Sequence, residues 1–235
     1  MNSAIIKQLV IAAALAVSAS ASAKAQVFIT EVAPWGSSSS YAADWFEVKN
    51  TGASALDITG WKMDDNSNLF TSSVAIRGLT SIAAGQSVVF LDGGATSVND
   101  TTLGNNFKTA WFGSSVPSGF TLGFYGGTGV GLSTSGDAVN LYNSGGTLQA
   151  NVTFGANAFA TPPATSKTFD NIAGLNNAAV SMLSVVGVND AFTSFDATAV
   201  GSPGNVSAVP EPSEYAAVFG VFALGAAVWI RRQRR

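Results

Sequence analysis

The sequence predicts an all-β protein, a β-sandwich that is preceded by a signal peptide and followed by a single membrane helix. Three observations support this fold class. Short β-branched and aromatic runs recur throughout residues 26–205, each run is flanked by Gly, Asn, Asp or Ser, and no long stretch there has helical periodicity. Many short strands separated by turn residues are typical of a sandwich or a barrel.

Nine strands are predicted in this body. They lie at residues 27–32, 45–49, 55–58, 61–63, 87–91, 120–125, 138–142, 148–154 and 180–186. Residues 45–49 alternate in polarity, as a half-buried strand does, whereas residues 88–91 are all apolar and indicate a strand covered on both faces. The glycine-rich stretch 123–136 lacks the strand–loop–helix context of a phosphate site, and we interpret it as a flexible loop or hairpin.

Residues 1–25 have the three parts of a secretory signal peptide. Lys7 is followed by an apolar run at 9–17 and then by small residues, with Ala23 and Ala25 as a cleavage pattern. The alternative is an uncleaved membrane helix, but the run is much shorter than the ~20 residues that a span needs. We therefore expect the body to be exported.

The C-terminal residues predict a membrane anchor. A linker at 206–214 leads to an apolar stretch at 215–230 and a basic tail at 231–235. Such a helix is about 24 Å long, and snorkelling arginines and local thinning adapt it to a ~30 Å hydrocarbon core. Basic residues after a span stay in the cytoplasm, so the body is predicted to lie on the other side.

This C-terminal order of features resembles the PEP-CTERM sorting signal. The sorting motif is Pro210, Glu211 and Pro212, and the basic cluster is Arg231, Arg232, Arg234 and Arg235. The resemblance implies cleavage near the motif by an exosortase, in bacteria that make exopolysaccharide. It also implies an inner-membrane precursor with its body in the periplasm, which then moves to the cell surface or extracellular matrix. An ordinary anchor helix is the alternative.

The composition excludes several kinds of chemistry. The chain has no cysteine and no histidine, so it offers no disulfide, no Ser-His-Asp triad and no imidazole zinc site. Residues 26–205 carry five basic and twelve acidic side chains, a net charge of −7. Such an acidic domain without a basic patch is not expected to bind nucleic acid.

The body resembles the lamin tail domain, an immunoglobulin-like sandwich that also occurs in exported bacterial proteins. The matching stretches are residues 29–32, 44–52, 56–61, 83–91, 132–146 and 201–205. Segments 92–131 and 159–199 are longer than such a domain needs, and we interpret them as insertions in loops, which often carry function.

Four tryptophans of the body have different predicted roles. Trp45 and Trp61 lie in predicted strands and are expected in the core. Trp35 and Trp111 lie near Gly and Ser, so they are better candidates for exposed aromatic contacts than the strand tryptophans, but we favour loop anchoring as their role.

Glu31 and Glu47 are the candidate catalytic pair. They lie on strands that can be neighbours, and two carboxylates about 5–9 Å apart can hydrolyse glycosidic bonds. The other interpretation is surface or edge-strand charge, which discourages edge-to-edge pairing. We favour the second interpretation, so no catalytic residue is predicted.

Asp64, Asp65, Asn66 and Asn68 form a candidate cation-binding loop. Their oxygens suit Ca²⁺, although Leu69 and Ala75 stand where an EF-hand has Gly and Glu. A solvated turn is the simpler interpretation, and no other cofactor is predicted.

These observations predict an exported envelope or matrix protein that acts as a non-catalytic binding or structural module. Its expected partner is a glycan or an envelope protein, in a setting linked to exopolysaccharide. Two other functions stay open. One is a carboxylate-dependent glycosidase that acts on exopolysaccharide, and the other is a matrix component that assembles with itself.

Overall fold

Two five-stranded sheets form the body of the protein. A computed structural model describes residues 27–36, 39–156 and 165–204. The first sheet has the strand order β12-β1-β2-β7-β8 and the second has β13-β10-β9-β4-β5. A three-stranded sheet, β11-β15-β14, and a two-stranded ribbon, β3-β6, complete the described strands.

The strands have the following bounds in chain order. They are β1 Val27–Ala33, β2 Trp45–Asn50, β3 Leu56–Asp57, β4 Lys62–Asp64, β5 Val74–Ala75, β6 Ser81–Ile82, β7 Ser87–Asp92, β8 Leu122–Tyr125, β9 Gly136–Tyr142, β10 Leu148–Gly155, β11 Ser166–Lys167, β12 Phe169–Asp170, β13 Ala178–Val180, β14 Phe192–Thr193 and β15 Ala199–Gly201. A 3₁₀ turn at Ser97–Asn99 leads into helix α1, Asp100–Phe112.

The main core lies between the two large sheets. Alternate residues of each strand point into it, as Phe46 and Val48 do from the first sheet and Val139 and Leu141 do from the second. Trp61 packs in this core, as predicted. The arrangement confirms the β-sandwich.

A second core covers the other face of the first sheet. Trp45, Val89 and Leu91 pack there against Phe107 and Trp111 of α1. The all-apolar strand β7 is therefore buried on both faces, as predicted, and Trp45 belongs to this second core.

Helix α1 corrects the prediction of a body without helices. It lies within the connection between β7 and β8, which pair in parallel. Parallel neighbours need a long crossover, which is usually a helix. The apparent insertion at 92–131 thus contains this crossover, and its helix adds Phe107 and Trp111 to the second core.

The C-terminal segment 165–204 completes the cover of the first sheet. Strand β12 pairs with β1, and β15 lies between β11 and β14, with Ala199 packed in the second core. The predicted strand at 180–186 is wrong beyond Val180, where β13 ends.

The turns follow the expected local chemistry. Asn50 ends β2, and its amide nitrogen donates to the carbonyls of Ser54, Ile82 and Ala83. Gly60 has φ +73°, which gives the bend before Trp61.

The glycine-rich stretch between β8 and β9 is a loop that no helix follows. Its Val130 and Leu132 are buried in the main core.

The two predicted terminal elements lie outside the described residues. These are the signal peptide at 1–25 and the linker, helix and tail at 206–235. Among the residues that the structure describes, no helix is long and apolar enough to cross a membrane.

Candidate functional site

Glu31 and Glu47 lie directly opposite each other on β1 and β2. Regular alternation would place Glu31 on the same face as Ile29, in the main core. A β-bulge between Ile29 and Glu31 shifts the register, so that Ile29 faces the main core and Glu31 faces the second layer. The bulge therefore brings the two carboxyl groups to one face of the sheet.

Both carboxyl groups are buried. Their residues are 1% and 0% exposed, because segment 165–204 lies over them. The interpretation of this pair as surface or edge-strand charge is wrong, since β1 and β2 are internal strands and both glutamates are buried.

Glu31 holds two parts of the covering segment. Its Oε1 accepts hydrogen bonds from the Thr168 hydroxyl and from the Ser202 amide, the latter at 2.8 Å. Its Oε2 accepts from the Ser202 hydroxyl at 3.3 Å. A Cβ on Gly201 would lie 2.5 Å from Oε1, so only glycine lets the backbone pass this close.

Glu47 holds the end of the same segment. Its Oε1 accepts from the Thr30 hydroxyl at 2.8 Å, and its Oε2 accepts from the Gly204 amide. The two glutamates thus accept hydrogen bonds from the backbone amides of Ser202 and Gly204, where the described body ends.

Burial controls the ionisation of the pair. Desolvation, and next the neighbouring charge of Glu47, raise the pKa of Glu31 to about 8 in spite of the bonds from Thr168 and Ser202. Desolvation raises the pKa of Glu47, and the Gly204 amide, Thr30 and the charge of Lys49 oppose it, so that the pKa is about 7. Protonation of the pair in the folded state avoids two adjacent buried charges.

The geometry does not favour hydrolysis by this pair. Raised and unequal carboxyl pKa values suit a glycosidase, but a catalytic group must also reach its substrate. Here each carboxyl oxygen is bonded to the chain itself. Surface clefts beside Arg77, Asp92 and Asp137 include neither glutamate. The arrangement fastens the C-terminal segment to the first sheet.

The alternative of exposed aromatic contacts is wrong for Trp35 and Trp111. They are 2% and 1% exposed, and both pack in the second core. Trp111 lies in α1, and its indole donates to the Tyr41 hydroxyl at 3.4 Å. Trp45 donates to the same hydroxyl at 3.0 Å. Local polar neighbours gave no sign of this covering layer.

The candidate cation loop follows β4. The Asp64 Oδ2 accepts from the Ser67 hydroxyl at 2.6 Å and from the Leu69 amide at 2.7 Å. Asp65 caps the Ser67 amide at 3.1 Å, and the Asn68 amide oxygen accepts from the Tyr142 hydroxyl. Most of the predicted ligands therefore stabilise the turn itself.

The described residues contain no group of three or more Asp, Glu, His or Cys side chains arranged to hold a metal ion. Any cation site in this part of the protein would need amide or carbonyl oxygens as well.

An apolar loop follows β13 and is exposed to solvent. Its exposed side chains are those of Met182, Val185, Val186 and Val188, between 47% and 57% exposed. Sequence reasoning missed this surface, because the same residues suggested a buried strand.

The sorting motif Pro210, Glu211 and Pro212 and the basic cluster Arg231, Arg232, Arg234 and Arg235 lie outside the described residues. They follow Gly204, which Glu47 holds.

Comparison with known proteins gives one family. A family model described as Lamin Tail Domain matches residues 20–156, more than half of the chain. No curated protein matches the chain. The match includes both large sheets up to the end of β10 and helix α1, whereas the covering segment 165–204 lies beyond it. Lamin tail domains have an immunoglobulin-like fold that is typically non-catalytic. The chain belongs to the lamin tail domain family.

Proposed function

We propose that this chain is an exported cell-envelope or extracellular-matrix protein whose β-sandwich body is a non-catalytic binding module. The observation that carries the proposal is the exposed apolar loop at Met182, Val185, Val186 and Val188. Adjacent exposed aliphatic side chains on one loop are typical of a protein-binding surface. Valine and methionine offer no ring on which a sugar stacks, which favours an envelope protein over a glycan as the partner.

The terminal sequences support export and sorting. The signal-peptide pattern at 1–25 and the order of Pro210–Pro212, apolar stretch and arginine cluster suit an exosortase substrate. The body would then be anchored in the inner membrane, cleaved near the motif, and passed to the cell surface or to a matrix that contains exopolysaccharide.

Intact mass spectrometry of the protein from native cells tests the sorting. We expect a mass that corresponds to residues from about 26 to the 210–212 region in the envelope or medium. A mature mass that runs through Arg235 would overturn sorting, and a mass that includes residues 1–25 would overturn signal cleavage.

Crosslinking in native cells tests the binding surface. The variant Val185→Thr/Val186→Thr/Val188→Thr keeps the shape of the loop and adds hydroxyl groups. We expect it to lose most crosslinks to other envelope proteins while its thermal unfolding midpoint stays the same. Val98→Thr, at a valine 84% exposed elsewhere, is the matched control.

Self-assembly is a separate outcome of the same experiment. Crosslinks between copies of this chain alone, with concentration-dependent sedimentation, would replace the binding module with a structural matrix component. Unchanged crosslinks in the triple variant would remove the loop from either function.

A further inference from the structure

A row of three polar residues crosses the outer face of the second sheet. Asp64 on β4 lies opposite Asn140 on β9, and Asn140 lies opposite Asn151 on β10. The residues beside them in sequence, such as Met63 and Val139, point into the main core. The three polar side chains therefore share the opposite face and are direct neighbours across the strands.

Each residue of the row has a buried oxygen without a hydrogen-bond partner. These atoms are Asp64 Oδ1, Asn140 Oδ1 and Asn151 Oδ1. Among the described residues, the only other buried side-chain atom of this kind is the Tyr125 hydroxyl. Asp64 and Asn140 are 0% and 1% exposed, and each unpaired buried acceptor costs about 1–3 kcal/mol. Three such acceptors in one row point to a shared ligand.

The other atoms of the row are already engaged. The Asp64 Oδ2 accepts from Ser67 and Leu69, and the Asn140 amide nitrogen donates to the Asp65 carbonyl at 2.5 Å. Turning the Asn140 amide would place its oxygen against that carbonyl. The oxygen of Asn140 therefore remains the atom without a partner.

The surroundings of the row favour a cation. Two further carboxylates lie close to the row, since Asp65 follows Asp64 in sequence and Asp137 accepts a hydrogen bond from the Asn66 amide at 3.0 Å. Lys62, on the same strand as Asp64, lies over the Phe70 ring at 4.8 Å. A neutral donor such as water would satisfy some acceptors but would leave this negative field uncompensated.

The chemistry of the row suits calcium among the cations. It offers one carboxylate and two amide oxygens, and hard oxygen ligands are those that Ca²⁺ prefers. A cleft of about 320 Å³ is lined by Asn140, Asn151 and Asp137, and it gives room for the water ligands that complete six to eight coordination.

We propose that Asp64, Asn140 and Asn151 form a Ca²⁺ site on the outer face of the second sheet. The site goes beyond the binding function above and does not depend on it. It shares only Asp64 with the loop that the sequence suggested. With one carboxylate among the three side chains, its affinity belongs to the weak range of extracellular calcium modules, with Kd on the order of 10⁻⁴–10⁻³ M.

Calcium titration of the full-length protein in detergent tests the proposal. After treatment with EGTA, we expect CaCl₂ at ten times Kd to raise the unfolding midpoint by about 3–6 °C. Asp64→Asn should abolish this rise, and its new amide nitrogen can donate to Asn140 without calcium. We therefore expect its calcium-free midpoint to equal or exceed that of the wild type.

Two further variants sharpen the test. Asn151→Asp adds a carboxylate and should lower the Kd for Ca²⁺ about tenfold, because affinity rises with ligand charge. Asp57→Asn changes an exposed carboxylate on β3 and should keep the full response.

Three results would overturn the proposal. The first is that the unfolding midpoint of the wild type does not shift up to about 10 mM CaCl₂, which is above the weak range of such modules. The second is that the Asp64→Asn variant responds like the wild type. The third is that MgCl₂ at the same ionic strength gives an equal shift.

Discussion

Glu31 and Glu47 face each other across β1 and β2, and each carboxyl group binds a backbone amide near the end of the described body. Ser202 is held by the first and Gly204 by the second. The pair thus joins the first two strands of the chain to its last described residues.

The stability of the protein should fall as the pH rises through the neutral range. The unfolded chain releases both protons near the ordinary glutamate pKa of 4.5, whereas the folded values are raised to about 8 and 7. The folded state therefore binds more protons in this window, and the free energy of unfolding declines from about pH 4.5 to about pH 8. We expect a loss of several kcal/mol between pH 5 and 8.5 in guanidinium unfolding.

The double variant Glu31→Gln/Glu47→Gln removes both titrations. Its free energy of unfolding should change much less over the same range, with a residual slope from Asp44, whose pKa burial raises to about 6. Asp57→Asn, at an exposed carboxylate, should behave like the wild type. Equal slopes in the wild type and the double variant would refute the account.

Substitution of Gly201 should destabilise the covering segment. An alanine Cβ there would lie 2.8 Å from Thr168 Cγ2 and 3.0 Å from Trp111, besides its contact with Glu31. We expect Gly201→Ala to lower the free energy of unfolding by about 1–3 kcal/mol. Gly155→Ala is the matched control, because no heavy atom lies within 4 Å of a Cβ at that strand-end glycine. A similar loss in both variants would argue against close packing at Gly201.

Removal of the Tyr41 hydroxyl should clearly lower the free energy of unfolding, although it deletes a single atom. It accepts hydrogen bonds from the indoles of Trp45 and Trp111, so Tyr41→Phe leaves two buried donors without a partner. We expect a loss of about 2–3 kcal/mol in chemical unfolding followed by far-UV circular dichroism. In a Trp45→Phe background the loss from Tyr41→Phe should shrink, because one of the donors is already gone. An unchanged loss would mean that the bond from Trp45 contributes nothing.

Asn50 should tolerate alanine better than aspartate. Its amide nitrogen donates to three carbonyls, so Asn50→Asp places a second carboxylate oxygen against them. At pH 7 we expect Asn50→Asp to be less stable than Asn50→Ala by about 1 kcal/mol or more. The gap should narrow at pH 4, where the aspartic acid can donate a proton. A gap that is independent of pH would contradict this role of the amide.

Strands were predictable where a local pattern reports burial. The all-apolar run at 88–91 corresponds to β7, which is buried on both faces as predicted. The alternation in residues 45–49 corresponds to β2, but the prediction of a half-buried strand is wrong, because every residue of β2 is buried. Helix α1 was missed because it contains Gly104, Asn105 and Asn106, which are poor helix formers. Burial of Phe107 and Trp111 against the first sheet stabilises it, and a local pattern does not report such tertiary contacts.

The sequence predicted that Glu31 and Glu47 can be neighbours, but it did not predict that they are buried. Their strands were expected to be neighbours, but charge on a strand usually indicates a solvent face. One signal for the opposite conclusion was present, since Val89 lies opposite Glu47 on β7. A strand that is covered on both faces needs a layer over that side, and the layer comes from residues more than a hundred positions later in the chain.

The hydrogen bonds between the two glutamates and the covering segment join parts of the chain that are far apart in sequence, which affects the order of folding. Glu31 meets Thr168 and Ser202 across 137 and 171 residues of sequence, so β1 and β2 are synthesised long before their cover. Until the cover docks, both carboxyl groups are in water and ionised at neutral pH. Docking of the last segment should therefore take up protons, which a pH indicator would detect during refolding in a weakly buffered solution. The completion of this domain is in that sense a proton-consuming reaction.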